Sequence, residues 1–177
     1  MWLGREIVIE TVAVGDLRRQ IAAAPHCESG GPLVGYLQGT QIIVTGVGGA
    51  GKCGNRRPWS VLIAGGDTTA YLRAIHRRSK GAVYYVGEWH THLAPPFELS
   101  ATDRAAVRTL LASHVSPLPL IVSVVFSQDL EHATAYRITP HSERKIPVSM
   151  AVGQNPLVPG AEKTARVWPG PGGQVCI

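Results

Sequence analysis

Cysteine is scarce and poorly placed for a scaffold: Cys27, Cys53 and Cys176 are the only three in 177 residues, and no two form a CxxC pair. An odd, scattered set argues against a disulfide framework and against a thiolate zinc knuckle, and points to free thiols. Long apolar runs are missing as well. The longest uncharged one, residues 117–126, falls far short of the roughly 20 residues a membrane helix requires. The first 14 residues carry Arg5, Glu6 and Glu10 among their apolar positions, which breaks up the apolar core a secretory signal needs. These absences predict a soluble, cytoplasmic protein with no membrane partner. There is no concentrated basic run either. The formal charge of +5 comes largely from separated dyads, Arg18/Arg19, Arg56/Arg57 and Arg77/Arg78, the pattern of a solvated surface more than of a nucleic-acid-binding patch.

What is present is enough apolar material, 45% of residues, for one core of about 130 to 140 residues plus an extension. Residues 6–14 alternate and are β-branched, predicting a strand, after which Asp16 caps a short helix with Leu17 and Ile21 on one face, ended by Pro25. Residues 32–37 and 40–47 read as two strands joined at Gln38-Gly39. Residues 48–58 read as a loop. Asp67 then caps a helix whose Tyr71, Ala74, Ile75 and Arg78 form a stripe, ending before Gly81. Residues 82–90 return as a strand, Ser100 opens a helix with Ala106, Val107, Leu110 and Leu111 inward, and strands follow near 120–126 and 133–138. This alternation predicts an α/β layered architecture over residues 1–138. Residues 139–177 hold six of the 13 prolines and little periodicity, predicting an extension that lies on the domain or stays loose.

The chemistry concentrates in Gly87-Glu88-Trp89-His90-Thr91-His92, followed by seven residues and then Ser100-Ala101-Thr102-Asp103. On a strand, side chains two apart share a face about 7 Å apart at the backbone, so His90 and His92 can converge on one ion. Asp103, in the first turn of the next helix, can add an oxygen ligand, and three protein ligands leave a tetrahedral zinc one open position, as in catalytic sites. Each half has a bland counterpart. An isolated H-x-H is more often core or surface histidine than ligand, and Ser100-x-x-Asp103 fits a helix capping box without any metal. The two readings of Asp103 coexist, because a helix N-terminus keeps a carboxylate ionised and aimed.

With that spacing in place, residues 5–138 resemble the JAMM, or MPN/JAB, metallopeptidases, whose motif is an upstream glutamate followed by H-x-H, seven residues and S-x-x-D. The upstream glutamate is Glu28, in His26-Cys27-Glu28-Ser29-Gly30-Gly31-Pro32. The resemblance implies a JAB/MPN-like fold, a curved mixed β-sheet flanked by helices as in cytidine deaminases. It implies that His90, His92 and Asp103 bind Zn2+, that Glu28 is the general base toward water on that ion, and that Ser100 stabilises the oxyanion. Leu93 departs from the family, in which proline often follows the second histidine. Gly-Glu-Trp-His-Thr-His is most similar to stand-alone prokaryotic JAB proteins found beside bacterial ubiquitin-like conjugation enzymes, including those of antiphage operons. That implies an isopeptidase removing a ubiquitin-like or otherwise C-terminally conjugated protein, with E1- and E2-like enzymes as operon partners.

Other readings carry less. The same centre in resembling proteins also processes sulfur carriers, and non-catalytic MPN scaffolds exist, though those usually lack ligands. The segment Gly46 to Cys53 nearly spells a phosphate-binding loop, but Cys53 replaces the magnesium-binding hydroxyl and Pro58 blocks the following helix; a surface loop touching substrate is the simpler reading. Cys27 has no motif supplying an activating base. The H-x-E and P-C-x-x-C elements of zinc deaminases are absent. Glu88, two residues before His90, is either an outer support of the centre or a solvated carboxylate. Gly172-Gly173 resembles a ubiquitin-like tail, but such a pair arises readily in a Pro/Gly-rich stretch.

Overall fold

A computed structural model of the chain describes residues 3–52, 54–63 and 65–151, so Cys53, Cys176 and the Gly172-Gly173 pair lie outside the described residues. The elements are β1 (Glu6–Glu10), α1 (Thr11–Ala22), β2 (Gly30–Gln38), β3 (Gln41–Val47), β4 (Asn55–Arg57), β5 (Ser60–Leu62), α2 (Gly65–Arg78), β6 (Tyr84–His92), α3 (Ala101–Ala112), β7 (Ile121–Ser127), β8 (Ala133–Thr139), β9 (Ser142–Ile146) and β10 (Val148–Ala151). Eight strands form one mixed sheet in the order β10-β1-β3-β2-β6-β7-β8-β9, and β4 with β5 forms a separate hairpin. Among the described residues the sheet is curved and nearly closed, with three helices, which agrees with the curved mixed sheet flanked by helices that the resemblance implies.

Each face of the sheet has its own helices. Ala13, Val14, Leu17 and Ile21 of α1 bury against Ile42, Val44, Trp89, Val122, Val124 and Phe126 on one face. On the opposite face Val107 of α3 packs on Ile121, Val125, Tyr136 and Ile138, and Tyr71 and Ile75 of α2 pack on Val34. Within α3, Val107 is buried, while Leu110 and Leu111 are half-buried and Ala106 is exposed, so the buried stripe is narrower than the sequence predicts.

Four expectations need correction. The first strand stops at Glu10, and α1 begins at Thr11, because Ala13, Val14, Leu17 and Ile21 bury as a helical stripe, which outweighs the strand preference of β-branched Thr11 and Val12. Asp16 is therefore inside α1 and fully buried, paired to Arg19, and does not cap it. Asp67 likewise sits in the first turn of α2, which starts at Gly65; one of its carboxylate oxygens accepts from the Lys52 backbone N–H at 2.5 Å. The sheet also runs on beyond residue 138. β9 extends the β8 hairpin across a turn in which the Thr139 hydroxyl accepts from the Ser142 N–H at 3.0 Å, and β10 pairs in parallel with β1. These strands are five and four residues long and separated by Pro147, too short to show a period.

The burial of Asp16 has a measurable consequence. Desolvation raises its pKa from 3.8 to about 6, against the attraction of Arg19. A carboxyl whose folded-state pKa is raised stabilises the fold in its protonated form, so that contribution is full below about pH 4 and is lost as pH rises through about 6. Asp16→Asn is expected to gain on the wild type by about 2 to 3 kcal/mol across that window, read by denaturant melts at its two ends. A stability difference that does not change with pH would contradict an ionised buried Asp16.

Candidate metal centre

The centre sits at the end of β6, on the sheet face that carries α2 and α3. His90 and His92 alternate with buried Trp89 and Thr91, so both imidazoles leave the strand on the same side. Trp89 points the other way, fully buried, and its indole N–H donates to the Gly48 carbonyl at 2.9 Å, which pins the strand between the two histidines and the core. β6 runs two residues beyond the predicted end, so His92 is held in the sheet opposite Ser127 of β7.

Asp103 comes from the first turn of α3. Ser100 is its N-cap: the Asp103 N–H donates to the Ser100 hydroxyl oxygen at 3.2 Å, and the Ser100 N–H donates to Asp103 Oδ2 at 2.7 Å. This capping box fixes the carboxylate at the positive end of the helix. Its Oδ2 lies 3.5 Å from His90 Nε2 and 3.9 Å from His92 Nε2, and the two Nε2 atoms are 3.2 Å apart. His90, His92 and Asp103 thus each aim one donor atom at a common point, all within 4.8 Å of one another.

That spacing allows a test of whether the residues fit a metal. Tetrahedral zinc with nitrogen and oxygen ligands at about 2.0–2.1 Å separates its ligand atoms by about 3.3 Å. The 3.2 and 3.5 Å separations match, and the 3.9 Å one needs a small closure. The tautomer fits too. His92 Nδ1 lies 2.9 Å from the Pro96 carbonyl oxygen, which can only accept, so Nδ1 carries the proton and Nε2 of the neutral ring presents its lone pair to the common point. The chain after His92 bears Leu93, and it is the Pro95-Pro96 segment that returns the carbonyl to the ring.

Glu28 reaches the same place by sheet register. Gly30 pairs with His90 in the antiparallel β2–β6 ladder. One step further, the Thr91 N–H donates to the Ser29 carbonyl at 2.8 Å and the Ser29 N–H donates to the Thr91 hydroxyl at 2.9 Å. Continuing that register sets Glu28 beside His92, on the same side of the sheet. The Glu28 N–H also donates to the Arg57 carbonyl of β4 at 2.7 Å, so the small hairpin clamps it from outside. Gly30 makes room for this approach, since a Cβ there would meet the Trp89 carbonyl oxygen at 2.8 Å and a Val61 methyl at 2.9 Å.

Electrostatics separate the carboxylates. Burial pushes the half-buried Glu28 above its usual range, while the neighbouring His92 and then His90 rings pull it back; the higher proton affinity suits a base. Burial acts on Asp103 in the same sense, but the His90 ring and the two Ser100 donors outweigh it and hold Asp103 well below the usual carboxylate range. Glu88 is half-buried at the register position of Pro32 and Ser123, and burial pushes it up to about 7 against the pull of His90. The Gly46–Cys53 segment leads into β4 and not into a helix, which removes the phosphate-binding reading. Sequence reasoning missed the β4–β5 hairpin: it lies next to Glu28 and exposes Trp59 and Leu62, 77% and 65% accessible, and its three-residue strands are too short to announce themselves.

A family model described as prokaryotic homologs of the JAB domain matches residues 11–139, most of the chain. The chain belongs to this family. Two relatives of this JAB chain are both named CD-NTase/cGAS isopeptidase. The protein from Vibrio cholerae serotype O1 is 36% identical over 96 residues, 54% of this chain and 61% of that protein. The protein from Escherichia coli strain TW11681 is 25% identical over 103 residues, 58% and 64% of the two chains. The JAB chain thus matches less than two thirds of the length of these curated relatives. The solution structure of protein DSY2949 from Desulfitobacterium hafniense shares the fold, with a TM-score of 0.59 at 17% identity, covering 84% of this chain and 95% of that one.

Proposed function

We propose that this JAB chain is a zinc-dependent isopeptidase that removes a ubiquitin-like, or similarly C-terminally conjugated, protein from its target in the cytoplasm. The observation that carries the reading is the convergence of His90 Nε2, His92 Nε2 and Asp103 Oδ2 at ligand spacing, with Glu28 alongside. A zinc ion held by these three residues supplies Lewis acidity toward water and toward a carbonyl oxygen. Glu28 takes the proton from the attacking water and returns it to the leaving amine. The Ser100 hydroxyl accepts from the Asp103 N–H with one lone pair, and its proton, otherwise directed at the Asp103 carboxylate, can turn to the developing oxyanion. His92 is kept in one tautomer by Pro96.

The β4–β5 hairpin, with exposed Trp59 and Leu62 beside Glu28, suits an extended C-terminal tail running toward the metal. The relatives' name makes a conjugated CD-NTase/cGAS the first target to assay, and E1- and E2-like enzymes that would build such a conjugate are the expected partners. The test is cleavage of an isopeptide-linked conjugate by the purified chain. Activity is expected to vanish on chelation and to return with stoichiometric zinc. Cleavage that persists in the metal-stripped protein would refute the metal mechanism.

A further inference from the structure

Glu28, the two histidines and Asp103 all precede residue 104 in the chain, yet the charges that pair with Glu98 and Arg104, on either side of Asp103, come from β9, in the stretch the sequence reads as an extension. We propose that Glu143 and Lys145 of β9 are positioning residues of the metal centre, bracing the 93–99 loop and the start of α3 so that His92 and Asp103 stay at ligand distance. The inference rests on the metal reading above.

Glu143 and Lys145 lie two apart on β9 and share a face. Arg104, the residue after Asp103, donates from Nε to Glu143 Oε1 at 2.8 Å and from Nη1 to the Leu99 carbonyl, the last residue of the loop. Arg108, one turn on, brings Nη2 to 3.8 Å from Glu143 Oε2. Lys145 donates to Glu98 Oε1 at 2.5 Å. Both cations stand over the ring of Tyr136, which is buried on β8 opposite Lys145, at 5.6 Å for Arg104 Cζ and 5.9 Å for Lys145 Nζ. β9 therefore grips the loop at residue 98 and the helix at residue 104, and Arg104 in turn ties the helix to residue 99. The Pro96 carbonyl that orients His92 is two residues from the first grip, and Asp103 is adjacent to the last.

The Lys145–Glu98 pair is about half exposed at both ends and contributes little to fold stability by itself. Its worth is geometric. Two ligands on separate elements, with ten residues between them, must be held to within about 0.5 Å to share an ion, and outer supports set that tolerance. Cation–π contact with Tyr136 stiffens the same groups.

The test measures zinc affinity of the full chain by chelator competition, together with the visible spectrum of the cobalt-substituted protein. Glu143→Ala and Lys145→Met are each expected to weaken zinc binding about five- to tenfold and to dim the four-coordinate cobalt bands. Ile7→Val, in the core on β1, serves as the stability control: it is expected to lower Tm with zinc affinity unchanged. Zinc affinities within twofold of wild type in both β9 variants, or an equal loss in Ile7→Val, would overturn the brace while leaving the peptidase reading intact. No zinc uptake by the wild-type chain would overturn both, so the two failures are distinguishable.

Discussion

In Glu28→Gln, zinc content is expected to stay near one equivalent while turnover of an isopeptide conjugate falls about 10³-fold. Glutamine keeps the shape of the side chain, and its backbone N–H still donates to the Arg57 carbonyl. What it loses is the ability to take and return a proton, a role that contributes about 10² to 10⁴ in rate. A loss of 10³ corresponds to about 4 kcal/mol of transition-state stabilisation. The fall should appear in kcat with KM little changed, since the proposed role of Glu28 is toward the attacking water and not the bound tail. Turnover within threefold of the wild type would remove Glu28 from the chemistry.

A second large effect, on metal binding itself, is expected at the proposed ligands. His90→Ala or His92→Ala removes one of three protein donors from a site whose remaining atoms cannot close around the ion. Sharing the about 10–16 kcal/mol of a four-ligand zinc site evenly gives about 2.5 to 4 kcal/mol per ligand, a loss on the order of 10²- to 10³-fold in affinity, with turnover lost at ordinary zinc concentrations. His92→Ala also orphans the Pro96 carbonyl and releases the loop it anchors. His141→Ala, an exposed histidine in the β8–β9 turn, is the control and is expected to bind zinc as the wild type does. Equal affinity in all these variants would place the metal elsewhere.

The clustering of His90, His92 and Asp103 was legible in the sequence because each part depends on local geometry. Two residues on one strand face and a cap at a helix start are set by periods of two and by the first turn, and the structure brings their donor atoms together. Glu28 was legible only through the resemblance. Its approach to His92 depends on the Gly30–His90 register and on two bonds between Ser29 and Thr91, contacts across 60 residues that no local pattern encodes. The hydrophobic layers were readable from Val44, Val122, Val124 and Phe126, whose runs are long enough to show burial. The start of α1 was not, since Thr11 to Val14 satisfies both a strand and a helix and only the packing of Leu17 and Ile21 decides. β9 escaped for a different reason: it is polar, with Glu143, Arg144 and Lys145 in five residues, and its partners are ions and a buried ring in place of a core stripe.

The most direct measurement is zinc titration of the metal-free chain followed by X-ray absorption at the zinc edge. One tightly bound zinc per chain is expected, with a shell of nitrogen and oxygen scatterers near 2.0 to 2.1 Å that includes two imidazoles. Failure to bind zinc stoichiometrically, or a sulfur scatterer near 2.3 Å that brings a cysteine thiolate into the shell, would contradict a centre built from His90, His92 and Asp103.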